Sequence, residues 1–224
     1  GRPIPSESAL SEQLGVSRST VREALQRLEN ADLVYKRHGV GTFVRGQSSS
    51  IATSINYLHG VEPIIEASGK SPSLSMHEVS PVPLDSSTQA VFGEPAPVNA
   101  LCVTRVYLAD DVPTLYAVSY IPDRVLPPEL DTAAHTVYEL GQSGESLYSI
   151  LSSEYGHEVD YAVTRIRAVM PSKEVTRYMG LSSSEPCVEL NQIHHDRDGR
   201  VIIYSQDILD AEVFELIVLR KSIR

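Results

Sequence analysis

The glycine at position 15 constrains this chain more than any other residue, because apolar periodicity runs into it and restarts just beyond it. Leu10 and Leu14 stand one helical turn apart, and Ser6, behind Pro5, is placed to cap the helix that carries them. Gly15 takes the left-handed conformation at little cost and so ends that helix. Ser17 offers a second cap, and Val21, Ala24, Leu25 and Leu28 keep helical spacing to about Ala31. Leu33-Val34-Tyr35 then predicts a strand, His38-Gly39-Val40-Gly41 a glycine turn, and Thr42-Phe43-Val44 a returning strand. Helix, tight turn, helix and two-stranded wing together make a winged helix-turn-helix over residues 1–46.

Charge is distributed unevenly around this unit. Residues 1–46 carry seven Lys/Arg and five Asp/Glu, a net of +2, whereas residues 47–224 carry twelve against twenty-four, a net of −12. The whole chain, at −10, is too acidic for a general nucleic-acid binder, but a basic head on an acidic body suits a protein that touches phosphate with one end. With 42% hydrophobic residues the chain can fill a core. No apolar run approaches the ~20 residues of a membrane span. Gly1-Arg2-Pro3-Ile4-Pro5 lacks the features of a signal peptide, so a cytoplasmic protein with a trimmed start is expected. Cys102 and Cys187 are expected to be separate thiols.

The second helix carries Arg18, Ser19, Thr20 and Arg22 within its first turn and a half, after Ser17. Recognition helices meet base edges with their N-terminal residues. An arginine there can bind guanine O6 and N7 together, while hydroxyls and free N–H groups suit phosphate oxygens. The alternative is a capped surface helix with solvated arginines.

Ile4-Pro5-Ser6-Glu7, the stretch Leu10 to Leu25, then Leu28, Leu33-Val34 and Gly39-Val40-Gly41-Thr42-Phe43-Val44 resemble the GntR family of bacterial transcription regulators. The resemblance covers residues 3–45. It implies that Ser17, Arg18, Ser19, Thr20 and Arg22 contact double-stranded operator DNA and that His38 and Gly39, at the wing tip, approach the minor groove. Two departures stand out. Family members usually have a further N-terminal helix, whose absence would leave the Leu10/Leu14 face partly uncovered, and many carry a basic residue where Ser8 stands.

Beyond a polar linker at 47–59, with a short connecting helix over Ile51–Leu58, residues 60–224 predict an α+β domain. Strands are expected at Ser73–Val82, Val98–Ala109, Thr114–Ile121, Val159–Met170, Cys187–His195 and Arg200–Leu209, and helices at Asp85–Phe92, Glu145–Tyr155 and Ser172–Met179. Val213–Leu219 fits a strand or a helix. A helix ending at Phe92-Gly93 and another at Met179-Gly180 each precede a strand, an Asp-containing turn and a strand with a serine near its end (Ser119, Ser205). This is a faint repeat, and its two copies can join into one antiparallel sheet.

The Val103-Thr104-Arg105-Val106-Tyr107 segment, Ser119-Tyr120-Ile121-Pro122 and the Gly199 to Ser205 stretch resemble the UTRA effector domain of the HutC subgroup. That resemblance implies a chorismate-lyase-like antiparallel sheet with helices, a ligand cavity, a homodimer formed largely by this domain, and an anion-binding Arg-x-Arg pair. Here Tyr107 replaces the second arginine. Arg105 is therefore the expected contact for an anionic effector, an internal carboxylate being the alternative partner. Ser119 and Ser205 are expected hydroxyl contacts, with Tyr107, Tyr204, Arg165 and Arg167 as further candidates. Ala117 and Ile203 stand where acidic residues would meet a sugar, which points to an anion with few other polar groups.

No cofactor or metal is expected. Gly141-Gln142-Ser143-Gly144 reads as a loop and not a nucleophile elbow, Asp196-Arg197-Asp198-Gly199 as a hairpin turn and not a calcium loop, and adjacent His194 and His195 face opposite ways on a strand. The expected function is a ligand-responsive repressor. An enzyme of the same fold is the first alternative, although no acid–base pair or nucleophile can be placed, and a constitutive DNA-binding protein with a merely dimerising body is the second.

Overall fold

A computed structural model describes residues 3–30, 34–37, 41–44, 51–93 and 98–218. The chain forms two compact units, residues 1–57 with 215–224, and residues 58–214.

In the smaller unit an unexpected short strand, β1 (Pro3–Ile4), precedes α1 (Glu7–Leu14), α2 (Arg18–Asn30), β2 (Val34–Arg37) and β3 (Gly41–Val44), which follow the expected order, and the sheet is ordered β1-β3-β2. The Ser6 hydroxyl accepts from the Ala9 N–H, and Gly15, at φ 67°, closes α1. Ser17 Oγ accepts from the Thr20 N–H at 3.1 Å and caps α2. Val21, Leu25 and Val34 are buried, whereas Ala24 and Leu28, on the same apolar pattern, are exposed. Leu14 is 65% exposed. The expected connecting helix is replaced by a strand, β4 (Ile51–Ser54), which joins a late strand in a two-stranded sheet. Ile51 is β-branched and fully buried there, a requirement that an isolated amphipathic pattern does not announce.

The larger unit contains α3 (Val61–Ala67), β5 (Pro72–Pro83), α4 (Ser86–Phe92), β6 (Asn99–Ala109), β7 (Val112–Pro122), α5 (Leu130–Gln142), α6 (Leu147–Tyr155), β8 (Tyr161–Val169), α7 (Lys173–Met179), β9 (Cys187–His195) and β10 (Val201–Asp210). The last strand, β11 (Phe214–Ile217), is the partner of β4 and settles the ambiguous C-terminal segment as a strand. α3 and α5 were not expected. Their apolar positions are small or irregularly spaced (Ala133, Ala134 and Val137 in α5), so the helical period is weak in sequence.

The sheet order β5-β6-β7-β10-β9-β8 realises the faint repeat. Strand, helix and hairpin (β5, α4, β6, β7) recur as β8, α7, β9 and β10, and both helices end on left-handed glycines, Gly93 and Gly180. The copies meet at the central β7·β10 ladder, where Ser119 lies opposite Ser205. Helices α5 and α6 pack on one face around Leu101, Val103, Ile121 and Ile203. Helix α7 packs on the other, against Val106 and Tyr116. Alternation along the strands therefore decides which layer each side chain enters.

Candidate functional site

The residues expected to meet DNA are grouped around the start of α2. Ser17, Arg18, Ser19, Thr20 and Arg22 are all exposed around the start of α2. The Ser17 hydroxyl lies 2.7 Å from Ser19 Oγ and 2.8 Å from Thr20 Oγ1, so the three hydroxyls form one polar cluster at the positive end of the helix dipole. Arg22 Nε and Nη2 both donate to Glu7 Oε2, at 3.1 and 2.9 Å. This bond, with the guanidinium charge, holds the Glu7 carboxyl below its usual range. Arg18 makes no ion pair among the described residues. His38 and Gly39 lie outside the described residues; Gly41, at the base of the wing, has φ 137°.

The second site is a cavity of about 60 Å³ within the larger unit, floored by the sheet and walled by α3, α6 and the segment before α3. Arg105, Tyr107, Ser119 and Ser205 all line it, as do Ala117 and Ile203. Arg105 is 2% exposed. Its Nη1 donates to Tyr107 Oη at 3.2 Å, while Nε and Nη2 have no hydrogen-bond partner among the described residues. No carboxylate forms an ion pair with it among the described residues, although Glu62 lines the same cavity and feels its charge. Leaving a buried guanidinium under-bonded is costly, and an anion entering the cavity removes that cost. Burial pushes the Tyr107 phenol up to about 12, so it stays neutral. Arg105 is held from behind by His77 and by Gly141 of α5. A methyl group on Gly141 would collide with Arg105 Nη2 and with the His77 ring.

Three expected residues lie elsewhere. Tyr204 pairs with Tyr120 in the ladder, stacks on its ring and accepts from Asn191 Nδ2 at 2.8 Å, on the opposite face. Arg165 pairs with Asn191 and Arg167 with Glu189, and both are exposed on β8, at the sheet edge. Strand parity is the reason: Asn191 lies opposite Gln206, one residue out of phase with the cavity-facing Ser205 and Asp207.

The sequence reading missed Glu62, Tyr148, His194 and Asp207, all of which line the cavity. Asp207 carried a usable signal, since it stands two residues from Ser205 and shares its face. With Glu62 it gives the cavity two carboxyls that the sequence reading did not place there. The carboxyls come from positions other than Ala117 and Ile203. His194 is buried, bonds Ser205 Oγ through Nε2 at 3.2 Å, and is held neutral by burial, its pKa lowered to about 4. As expected, His195 faces the other way and stacks on Tyr161.

The set-aside motifs are structural. Gly141 and Gln142 end α5, where a loop was expected, and Asp196 Oδ1 accepts from the Asp198 and Arg200 N–H groups in a hairpin turn. Among the described residues no cluster of three or more His, Cys, Asp or Glu is arranged to hold a metal. No helix there is long and apolar enough to cross a membrane.

Comparison with known proteins agrees with both halves. Residues 1–44 match the family "Bacterial regulatory proteins, gntR family", and residues 67–215 match the UTRA domain. The HTH-type transcriptional repressor NagR of Bacillus subtilis is 32% identical over 223 residues, covering 96% of this chain and 84% of that protein. The mannosyl-D-glycerate transport/metabolism system repressor MngR of Escherichia coli is 25% identical over 235 residues, covering 100% and 90%. Among solved structures, PhnF from Mycobacterium smegmatis superposes with a TM-score of 0.63 at 24% identity, over 99% of this chain and 93% of that one. With a helix-turn-helix in the smaller unit, a cavity in the sheet unit and both family patterns matched, this chain is a GntR-family transcription regulator with a UTRA domain.

Proposed function

We propose that the chain is a repressor which binds its operator as a homodimer through α2 and changes affinity when a small anionic metabolite seats on Arg105. The single observation that carries the ligand reading is the buried Arg105 guanidinium, under-bonded on the floor of a cavity. Ser119, Ser205 and Tyr107 supply further polar contacts. A body without a cavity would favour the constitutive alternative, so the cavity supports a sensor. His59 to Glu62, in the cavity wall, follow the boundary at residue 57, so an occupant touches the chain just after it leaves the DNA-reading unit. At about 60 Å³ the cavity is far below the ~300 Å³ of common ligand sites, and entry requires that wall to yield. This links occupancy to the linker. By reciprocity, a ligand that weakens operator binding is itself bound more weakly on DNA.

A second copy of the chain is the proposed occupant of the β8 edge. β8 ends the sheet, with no partner on its outer side among the described residues, and exposes Tyr161, Val163 and Ile166. Long apolar edges are normally covered, and an isologous strand pairing covers two at once. Relatives named as regulators support a non-catalytic, cytoplasmic role.

Calorimetry with phosphate- and carboxylate-bearing metabolites, on wild type and Arg105→Ala, tests the ligand reading. The wild type binds at least one, and the variant loses ~10–100-fold in affinity, the range for a hydrogen bond to a charged group. Unchanged binding in a folded variant removes Arg105 from the site.

A further inference from the structure

Among the described residues that line the cavity, Arg105 is the one permanent cation, and Glu62 and Asp207 are the carboxyls. The two carboxyls stand differently toward the arginine. Asp207 lies two strands away, in the row Arg105, Ala117 and Asp207 across β6, β7 and β10, a backbone separation of ~9.6 Å. Its Oδ2 is already engaged, accepting from Gln192 Nε2 at 2.6 Å.

Glu62 approaches from the wall, in the first turn of α3. Its Oε2 lies against Gly60, where an added methyl group would stand 3.6 Å from it, and its Oε1 is buried with no hydrogen-bond partner among the described residues. Burial raises the Glu62 carboxyl, while its own backbone N–H and the charge of Arg105 pull it down. Tyr107, whose hydroxyl accepts from Arg105, is raised first by burial, and the charge of Glu62 adds more to that rise than the charge of Asp207. Glu62 is thus close enough to exchange charge effects with Arg105 and Tyr107 without forming an ion pair.

A guanidinium offsets one negative charge. The second charge of a dianion seated on Arg105 meets no further cation in the cavity lining and lies beside Glu62, in surroundings where water screens it poorly. We propose that Glu62 sets the charge of the effector, admitting a singly charged group such as a carboxylate to Arg105 and excluding a dianion such as a phosphate monoester. The inference rests on the ligand-binding reading of the cavity given above and narrows it to one class of anion. Glu62 acts here through its charge on the bound anion and not as its hydrogen-bond partner.

Carboxylates and phosphates also differ in shape, so the test holds shape constant. Methyl sulfate and sulfate are both tetrahedral oxyanions, the first a monoanion and the second a dianion, and neither titrates near neutral pH. In calorimetry on the full chain at pH 8, wild type is expected to bind methyl sulfate more tightly than sulfate. Glu62→Gln keeps the side chain's shape and removes its charge. It is expected to improve sulfate binding ~10-fold more than it improves methyl sulfate binding, the lower end of what a neighbouring like charge costs. Asp207→Asn is expected to shift that ratio by less, and Arg105→Ala to weaken both anions. A purely structural role for Glu62 would move both affinities together. Tighter binding of sulfate by wild type, equal changes for the two anions in Glu62→Gln, or a larger shift in Asp207→Asn overturns the role of Glu62 and leaves the Arg105 reading standing. Anions that bind Arg105→Ala as tightly as wild type, or that bind neither wild type nor Glu62→Gln, overturn both. Should Glu62→Gln fail to fold, Glu62→Ala carries the same comparison with the same expected direction.

Discussion

The Arg22 guanidinium grips Glu7 Oε2 through both Nε and Nη2, tying the reading helix α2 to α1. Both side chains are solvent-accessible, so the bond contributes little to stability, and under the proposed reading it would compete with DNA phosphate for the same arginine. Glu7→Gln is expected to raise operator affinity by up to ~5-fold at low salt, with the gain shrinking as salt rises. Gel-shift titrations over a salt series measure it; weaker binding would show that Glu7 positions Arg22 for DNA instead.

Arg18 forms no ion pair among the described residues and is the proposed base reader. Arg18→Ala is expected to cost ~1–3 kcal/mol of discrimination between operator and scrambled duplex, with the circular dichroism spectrum unchanged. Equal loss on both duplexes would mark Arg18 as a phosphate contact.

Gly141 lies outside the cavity but against Arg105 and His77. Gly141→Ala forces both side chains to move and is expected to destabilise the fold by ~1–3 kcal/mol, the range for overpacking. Binding of any anion that engages Arg105 should weaken in parallel. A variant with wild-type melting temperature and affinity would show that the Arg105 side chain shifts freely.

Stability should peak near pH 6.5. Asp207, raised from 3.8 to about 7, is protonated in the native state while the unfolded chain is ionised, so its contribution is lost as pH rises from 3.8 through 7. His77 and His194, lowered from 6.5 to about 4, act oppositely: the unfolded chain takes up protons first, and stability falls as pH drops from 6.5 through 4. Melting curves of Asp207→Asn should exceed wild type at pH 8, by a few kcal/mol at most, and converge with it toward pH 4. A constant gap across this range would exclude Asp207 titration as the cause.

Val163 is half-exposed on the β8 edge. Val163→Asp is expected to shift the protein from dimer to monomer in sedimentation experiments at micromolar concentration and to reduce operator affinity. An unchanged dimer would place the interface on another surface.

The amino-acid sequence alone determined the helix-turn-helix, because capping by Ser6 and Ser17, the left-handed Gly15 and the spacing of Val21 and Leu25 act within a few residues of one another. It also determined the strand hairpins of the repeat and singled out Arg105, Ser119 and Ser205 as candidates on them, since strand alternation is local. Tertiary structure alone decided that Ile51 enters a strand with the chain's far end, that α3 and α5 form, and which face of the sheet receives the cavity, so that Arg165, Arg167 and Tyr204 turn away. Those outcomes depend on ladder register between strands distant in sequence. One residue of slip exchanges the two faces, and no local pattern encodes which face receives the cavity.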